Sequence, residues 1–332
     1  LTYDAFNCTI PAKAYRVNQL LDNSSTSHHL KIRKTMAIIL ATKTLAAINH
    51  QMERDQGASY RVALGKVIPH MKDAYRGEEE GFRSHLGASV IGKSCARQIW
   101  YGFRWAVKPK FNGQMLRLFN RGHLEEARFI AALLCIGVQV YQQDSNGNQF
   151  RISDVGGHFG GSGDGVGIGI PDVPINTPCL LEFKTHNDKS YKKLVESGVK
   201  VVKPEHHTQM LVYMRKMNLP VGLYGAVNKN DDQLHLELIH LDPIHSDQFL
   251  DRARTIIMLP EPPKKISESP GWFECKFCDM KAVCHGGIAP ERNCRTCYHI
   301  QVHENGTWVC GQTGELRTKE QQLAGCGDYL VF

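Results

Sequence analysis

Three charged residues, Asp164, Glu182 and Lys184, stand where glycine-rich or apolar chain surrounds them. Asp164 stands in the glycine-rich stretch GSGDG, and Glu182 and Lys184 interrupt the apolar run CLLEFKT. A buried strand should tolerate neither charge. In a strand, residues i and i+2 share a side, so Glu182 and Lys184 face one way and Phe183 the other, into the core. If the strand carrying Asp164 is adjacent, two carboxylates and one ammonium converge. Two carboxylates suit a hard divalent cation such as Mg²⁺ or Mn²⁺, and the ammonium beside them could orient a water or offset charge at a phosphate. The bland alternative is a buried Glu182–Lys184 ion pair and an Asp that caps a turn.

Periodicity gives the helices and strands around them. Helical spacing marks HLKIRKTMAIILATKTLAAINHQM near the N-terminus, a short helix in KSCARQIWYGFRW, and a long amphipathic helix over 113–140 that runs into a strand. From 149 the pattern alternates, predicting two strands joined by a tight turn at Gly156–Gly157, then a strand at PCLLEFKT. A helix over 203–217, a hairpin around Asn230–Asp231, another helix and the proline-rich stretch Pro260–Pro270 complete the order.

In this order the chain resembles the PD-(D/E)xK nuclease superfamily: GSGDG followed by LLEFKT matches its D…(D/E)-x-K core, and QMLVY matches the Q-x3-Y motif of the RecB-like branch. The resemblance covers roughly residues 115–230. It implies an α/β, restriction-endonuclease-like core in which a central mixed sheet is flanked by helices. It also implies a metal-dependent exonuclease acting on DNA ends, with Asp164, Glu182, Lys184, Gln209 and Tyr213 as catalytic residues. Gln209 and Tyr213, at i and i+4, share a helical face from which an amide and a phenol could contact the phosphate backbone or the metal site. The family supplies a further ligand from the preceding helix. In RGHLEEARF that residue is Glu126, four after Gly122, or His123, and the backbone carbonyl of Phe183 could join the metal shell.

Eleven cysteines, an odd number, argue against a complete disulfide framework. Cys275, Cys278 and Cys284 form C-x2-C-x5-C, and with Cys95 upstream of the core they resemble the four-iron four-sulfur site of AddB-type and CRISPR-adaptation nucleases. Four thiolates suit either that cluster or zinc. Cys294, Cys297, Cys310 and Cys326 form C-x2-C-x12-C-x15-C, which predicts a tetrahedral Zn²⁺ site in a segment too small to fold without a staple, with His299 and His303 able to replace a thiolate. Cys135 and Cys179 are expected in the core; Cys8 is left over. The domain reading is a helical region over 1–92, a nuclease core closed by the cluster over 93–285, and a zinc-finger-like tail over 286–332.

A net charge of +7 suits a polyanionic partner, and 42% hydrophobic with 22% charged residues is ordinary globular composition. Lys189, Lys192 and Lys193 follow the LLEFKT strand and are expected to track DNA, or else to form a solvated face; the same choice applies to Arg97, Arg104, Lys108 and Lys110. His158 in GGHFGG falls on the Asp164 side of its strand if no bulge intervenes, either as a DNA contact or as a hydrogen-bonded structural histidine. The expected partners are DNA, single-stranded or with free ends, and recombination, repair or replication proteins, with no membrane. The expected setting is the cytoplasm of a bacterial or phage-infected cell. A catalytically silent DNA-binding scaffold is the competing reading.

Overall fold

A computed structural model describes residues 37–71, 74, 81–144 and 149–332. Cys8 lies outside them, as does the start of the predicted N-terminal helical stretch. Helices α1 (Thr42–Arg54) and α2 (Ala58–Val67) come first, then the two-residue strand β1 (Leu86–Gly87) and helix α3 (Ala96–Phe103). The long helix α4 (Gly113–Cys135) starts where Asn112 accepts a hydrogen bond from the Met115 N–H, the side-chain cap its residue type favours. It leads into β2 (Gln139–Tyr141), β3 (Arg151–Asp154), β4 (Phe159–Ser162), β5 (Gly165–Ile168) and β6 (Cys179–His186).

Strand β6 is the centre of the structure. It pairs antiparallel with β5 and parallel with β7 (Val221–Asn228), which pairs antiparallel with β8 (Leu234–His240); with β2 on β5 the order is β2-β5-β6-β7-β8. This is the mixed sheet that was expected. Its parallel step needs a crossover, supplied by α5 (Asp188–Val202) and α6 (Pro204–Met217). Helix α5 breaks at Gly198, whose φ of 74° favours glycine. The N–H of Val199 freed there donates to buried Glu237 of β8.

The two faces of the sheet bury separate cores. On one, α4 lays Phe129 flat against Phe183, with ring centroids 4.7 Å apart and planes at 2°. On the other, α6 brings Met210 and Met214 against Gly222 of β7, and α7 (Pro243–Met258) packs behind it. Glu182 belongs to this second side, where Gln209 of α6 reaches it. Strands β1, β4 and β3 form a separate small sheet. Gly156, between β3 and β4, has a φ of 61°, and a side chain there would run into the backbone of Asn305 and Gly306.

That close approach joins the tail to the core. After the short helices α8 (Phe273–Lys276) and α9 (Lys281–His285), the tail contains the hairpin β9 (Ile300–Val302) with β10 (Trp308–Cys310), and α10 (Lys319–Ala324). Arg295 fixes it: the guanidinium, only 2% exposed, lies 3.7 Å from the Trp105 ring centroid and 4.3 Å from that of Trp308. It donates to Gln322 Oε1 and to the carbonyls of Phe103 and Ser84, neutral acceptors rather than a carboxylate. Burial, with the charge of Arg104 adding to it, pushes Arg295 down to about 8, so it is still charged at neutral pH. Arg104 is buried as well and donates to Leu259 O, which corrects its reading as part of a solvated basic face. Replacing Arg295 with Met removes a desolvated cation–π contact and three charge-assisted hydrogen bonds. A loss of about 3 kcal/mol is expected, measured by urea denaturation; a loss below about 1 kcal/mol would mean that the rings alone hold the junction.

Candidate active site

Asp164 sits immediately before β5, whose Gly165 pairs with Leu181, so it arrives beside Glu182 on the neighbouring strand. Its Oδ2 accepts the Phe183 N–H at 2.8 Å. Glu182, fully buried, accepts from Gln209 Nε2 at 3.0 Å and from Lys184 Nζ through the same oxygen, Oε1. Lys184 Nζ also donates to Phe183 O at 3.2 Å. Alternation along β6 thus places Glu182 and Lys184 together, with Phe183 pointing away.

The other carboxylate oxygen, Glu182 Oε2, is buried without a hydrogen-bond partner. Buried polar atoms rarely go unpaired, and an orphan at a charged group costs several kcal/mol unless something else satisfies it. Burial pushes the Glu182 carboxyl up to about 7, with Lys184 pulling it down and Asp164 adding to the rise. For Lys184 burial opposes the charge, but Glu182 and Asp164 outweigh it and hold the ammonium above its usual value. Hard oxygen donors, one of them unsatisfied, and a strengthened cation are a chemically suitable set for a divalent metal and a phosphate oxygen.

Gln209 lies against Glu182 rather than out toward a substrate phosphate. Tyr213, one turn on, is 3% exposed, and its hydroxyl meets the place where a Gly161 side chain would be. The glycine-rich strand therefore serves close approach of the Q-x3-Y helix. On α4, His123 and Glu126 are half-buried, while Glu125 is buried and pairs with Arg128 at 3.6 Å. Among the described residues no three His, Cys, Asp or Glu side chains stand as a metal-holding group. The helix bearing His123 and Glu126 packs against the Phe183 face of β6, the side opposite Glu182.

His158 is buried, its ring edge-on to Phe103 and Trp308 and its Nε2 3.1 Å from His303 O. The DNA-contact reading is corrected: it is a structural histidine packed against the tail. Lys189, Lys192 and Lys193 are exposed on α5, and Lys192 pairs with Asp188 at 2.9 Å.

Both cysteine quartets line cavities. Cys95, Cys275, Cys278 and Cys284 face one cavity, and Cys294, Cys297, Cys310 and Cys326 face another together with His299. Against the cost of burial, hydrogen bonds from Thr313 and Gln312 pull the Cys310 thiol down to about 7, toward the thiolate that binds metal. Cys179 is buried in the core and Cys135 half-buried, its thiol donating to Ala132 O.

Sequence reasoning missed a buried network beside the carboxylates. His186 shares the face of Glu182 and Lys184, and Tyr224 is the register partner of Glu182 on β7. The Tyr224 hydroxyl bridges His186 Nε2 at 3.0 Å and His206 Nδ1 at 2.9 Å, and His186 Nδ1 meets Ser190 Oγ at 3.0 Å. Continued alternation to residue 186 was the available signal. Burial holds His186 at about 4 and His206 at about 3, against 6.5 for a free histidine. The unfolded chain therefore takes up protons that the folded one refuses as pH falls below 6.5. Stability should drop between pH 6.5 and about 4. Denaturant midpoints across that range check this, and Tyr224→Phe should start lower at every pH; a flat profile above pH 5 would remove the argument.

Neither a protein-family model nor a curated protein sequence matches the chain. Among solved structures it is similar to LHK-Exo in complex with dAMP, at 18% identity over 52% of this chain and 86% of that one, with a TM-score of 0.39. A second structure of LHK-Exo, an alkaline exonuclease from Laribacter hongkongensis, gives 17% identity, the same coverage and a TM-score of 0.38. The structure of SSO0001 gives 15% over 70% of this chain and 100% of that one, with a TM-score of 0.36. Likeness at this level shows no family membership.

Proposed function

We propose that the protein is a metal-dependent deoxyribonuclease that hydrolyses phosphodiester bonds at DNA ends, in recombination, repair or replication. The observation that carries this reading is the convergence of Asp164, Glu182 and Lys184 around one strand, with Glu182 Oε2 buried and unsatisfied. A buried ion pair contributes little net stability of its own, whereas a divalent ion would satisfy the remaining oxygen.

Asp164 and Glu182 would hold the ion, with Phe183 O as a further ligand; the family's further ligand, Glu126 or His123, lies on the helix packed against the opposite face of β6 and could join them only from the end of the sheet. Mg²⁺ or Mn²⁺ bound there supplies Lewis-acid stabilisation of phosphoryl charge and an acidified water. Gln209 keeps Glu182 Oε1 in place, leaving Oε2 free. Lys184 positions the nucleophile and stabilises the charge that develops on the phosphate. Lys189, Lys192 and Lys193 would follow the DNA backbone, making binding salt-sensitive. Among the described residues no helix is long and apolar enough to cross a membrane.

The two quartets are read as structural: an iron–sulfur cluster or zinc at Cys95, Cys275, Cys278 and Cys284, tying α3 to α8 and α9, and zinc at Cys294, Cys297, Cys310 and Cys326. Anaerobic purification with a visible spectrum and iron assay separates the first pair of options. The activity test is end-labelled linear DNA beside a closed circle of the same sequence, with Mn²⁺ or with chelator. Metal-dependent shortening of the linear form alone is expected, and no cleavage of either form would overturn the proposal.

A further inference from the structure

The first three turns of α4 carry an apolar stripe that packs on no core cluster among the described residues. Phe111 (51%), Leu116 (53%) and Phe119 (38%) are exposed together with Met115 and Leu118. Phe111, just before the helix, stacks edge-on to Phe119, centroids 4.9 Å apart. In helical rotation Met115 and Phe119 continue the face that, about three turns later, buries Phe129, Ile130 and Leu133. The core-facing side of α4 thus runs on past the sheet. Solvated apolar patches of this kind mark interaction surfaces.

The overhang has a definite place. Arg121 donates to Lys229 O at 3.0 Å, one residue past the end of β7, where Asn228 pairs with His186. It therefore projects from the end of the sheet toward which Lys184 and His186 lie. Its charge is of one sign: from Val107 to Leu124 there is no Asp or Glu, while Lys108, Lys110, Arg117 and Arg121 interleave with the apolar residues. A protein partner for a purely apolar stripe would not call for this one-signed charge. Aromatic rings between cations suit unpaired bases on a phosphate backbone, because every base has a face to stack and each phosphate a charge to meet.

We infer that the segment Lys108–Leu124 is a stacking platform that holds unpaired nucleotides of a DNA strand next to the Lys184 end of the sheet. Phe111 and Phe119 receive bases and Arg117 contacts backbone. This deepens the nuclease reading by naming the substrate feature it engages, a single-stranded end rather than a blunt duplex.

The test measures binding, so it is separable from catalysis. Fluorescence anisotropy with a labelled single-stranded oligothymidine and a blunt duplex is run in chelator, on wild type and on the Phe111→Ala/Phe119→Ala variant. Each ring should be worth about fivefold or more in single-strand affinity, with blunt-duplex affinity changed less. Arg117→Gln should lower the salt slope by about 0.7. Both rings are exposed, so melting should be unchanged, and circular dichroism checks it. Unchanged single-strand affinity in the double variant overturns the inference. So does light scattering in which wild type self-associates and Phe119→Asp is monomeric, which would make the stripe an interface between copies. Wild type that binds through the platform but never cuts DNA would sink the nuclease reading and leave this one standing.

Discussion

Lys184→Ala is expected to slow DNA cleavage by about a hundred- to ten-thousand-fold, the range for losing one positioned catalytic group. The size follows from three roles on one atom. Lys184 Nζ donates to Glu182 and to Phe183 O, and as the cation beside a buried carboxylate it holds down a pKa that burial drives up. Without it, Glu182 is protonated more readily, and a protonated carboxyl is a poorer ligand. Lys184→Arg should recover only part of the rate, because the planar guanidinium cannot reproduce the ammonium's contacts with both acceptors. Single-turnover cleavage with Mn²⁺ measures the effect, with binding to DNA in chelator as the control for folding. A rate within tenfold of wild type would remove Lys184 from the chemistry.

The second large effect follows from the proposed zinc site and is expected in the tail. Cys297→Ser, or a strong chelator, should unfold residues 291–332 while leaving the mixed sheet intact. The tail's own apolar core is little more than Cys294, Ile300 and Trp308, and a segment of that size does not bury enough to fold alone. Structural zinc in small domains contributes on the order of 10 kcal/mol. Its loss should release Trp308 and Arg295 together, since the ring and the guanidinium pack on each other. The signature is a red-shifted tryptophan emission and a protease-sensitive tail, with one equivalent of zinc released to a colorimetric chelator. A tail that stays protected in Cys297→Ser would show that Arg295 and the Gly156–Gly306 contact hold it without metal.

Much of the sheet was legible because its signals are local. The β6 strand announced itself as an apolar run with two misplaced charges, and the turn at Gly156–Gly157 separated β3 from β4 as the glycines implied. Asp164 could be placed beside Glu182 only by assuming adjacent strands, which the β5–β6 register bears out. What was not legible depends on packing between distant segments. Nothing in RTC reveals that Arg295 is buried between Trp105 and Trp308, because that requires tail and α3 to meet. His158 was readable either way until Trp308 covered it. The bridge from His186 through Tyr224 to His206 needs the β6–β7 register, and the overhang of α4 needs the place where the sheet ends. Lys108, Lys110 and their neighbours read as solvated charge until Phe111 and Phe119 were found exposed among them.

In the proposed mechanism the unsatisfied Glu182 oxygen and Asp164 hold a divalent ion. Titration calorimetry of Mn²⁺ into wild type, Asp164→Asn and Glu182→Gln, after removal of other metals, tests it most directly. Saturable binding by wild type that either substitution weakens at least tenfold is the predicted result. Equal binding by all three proteins, or none by wild type, would contradict it.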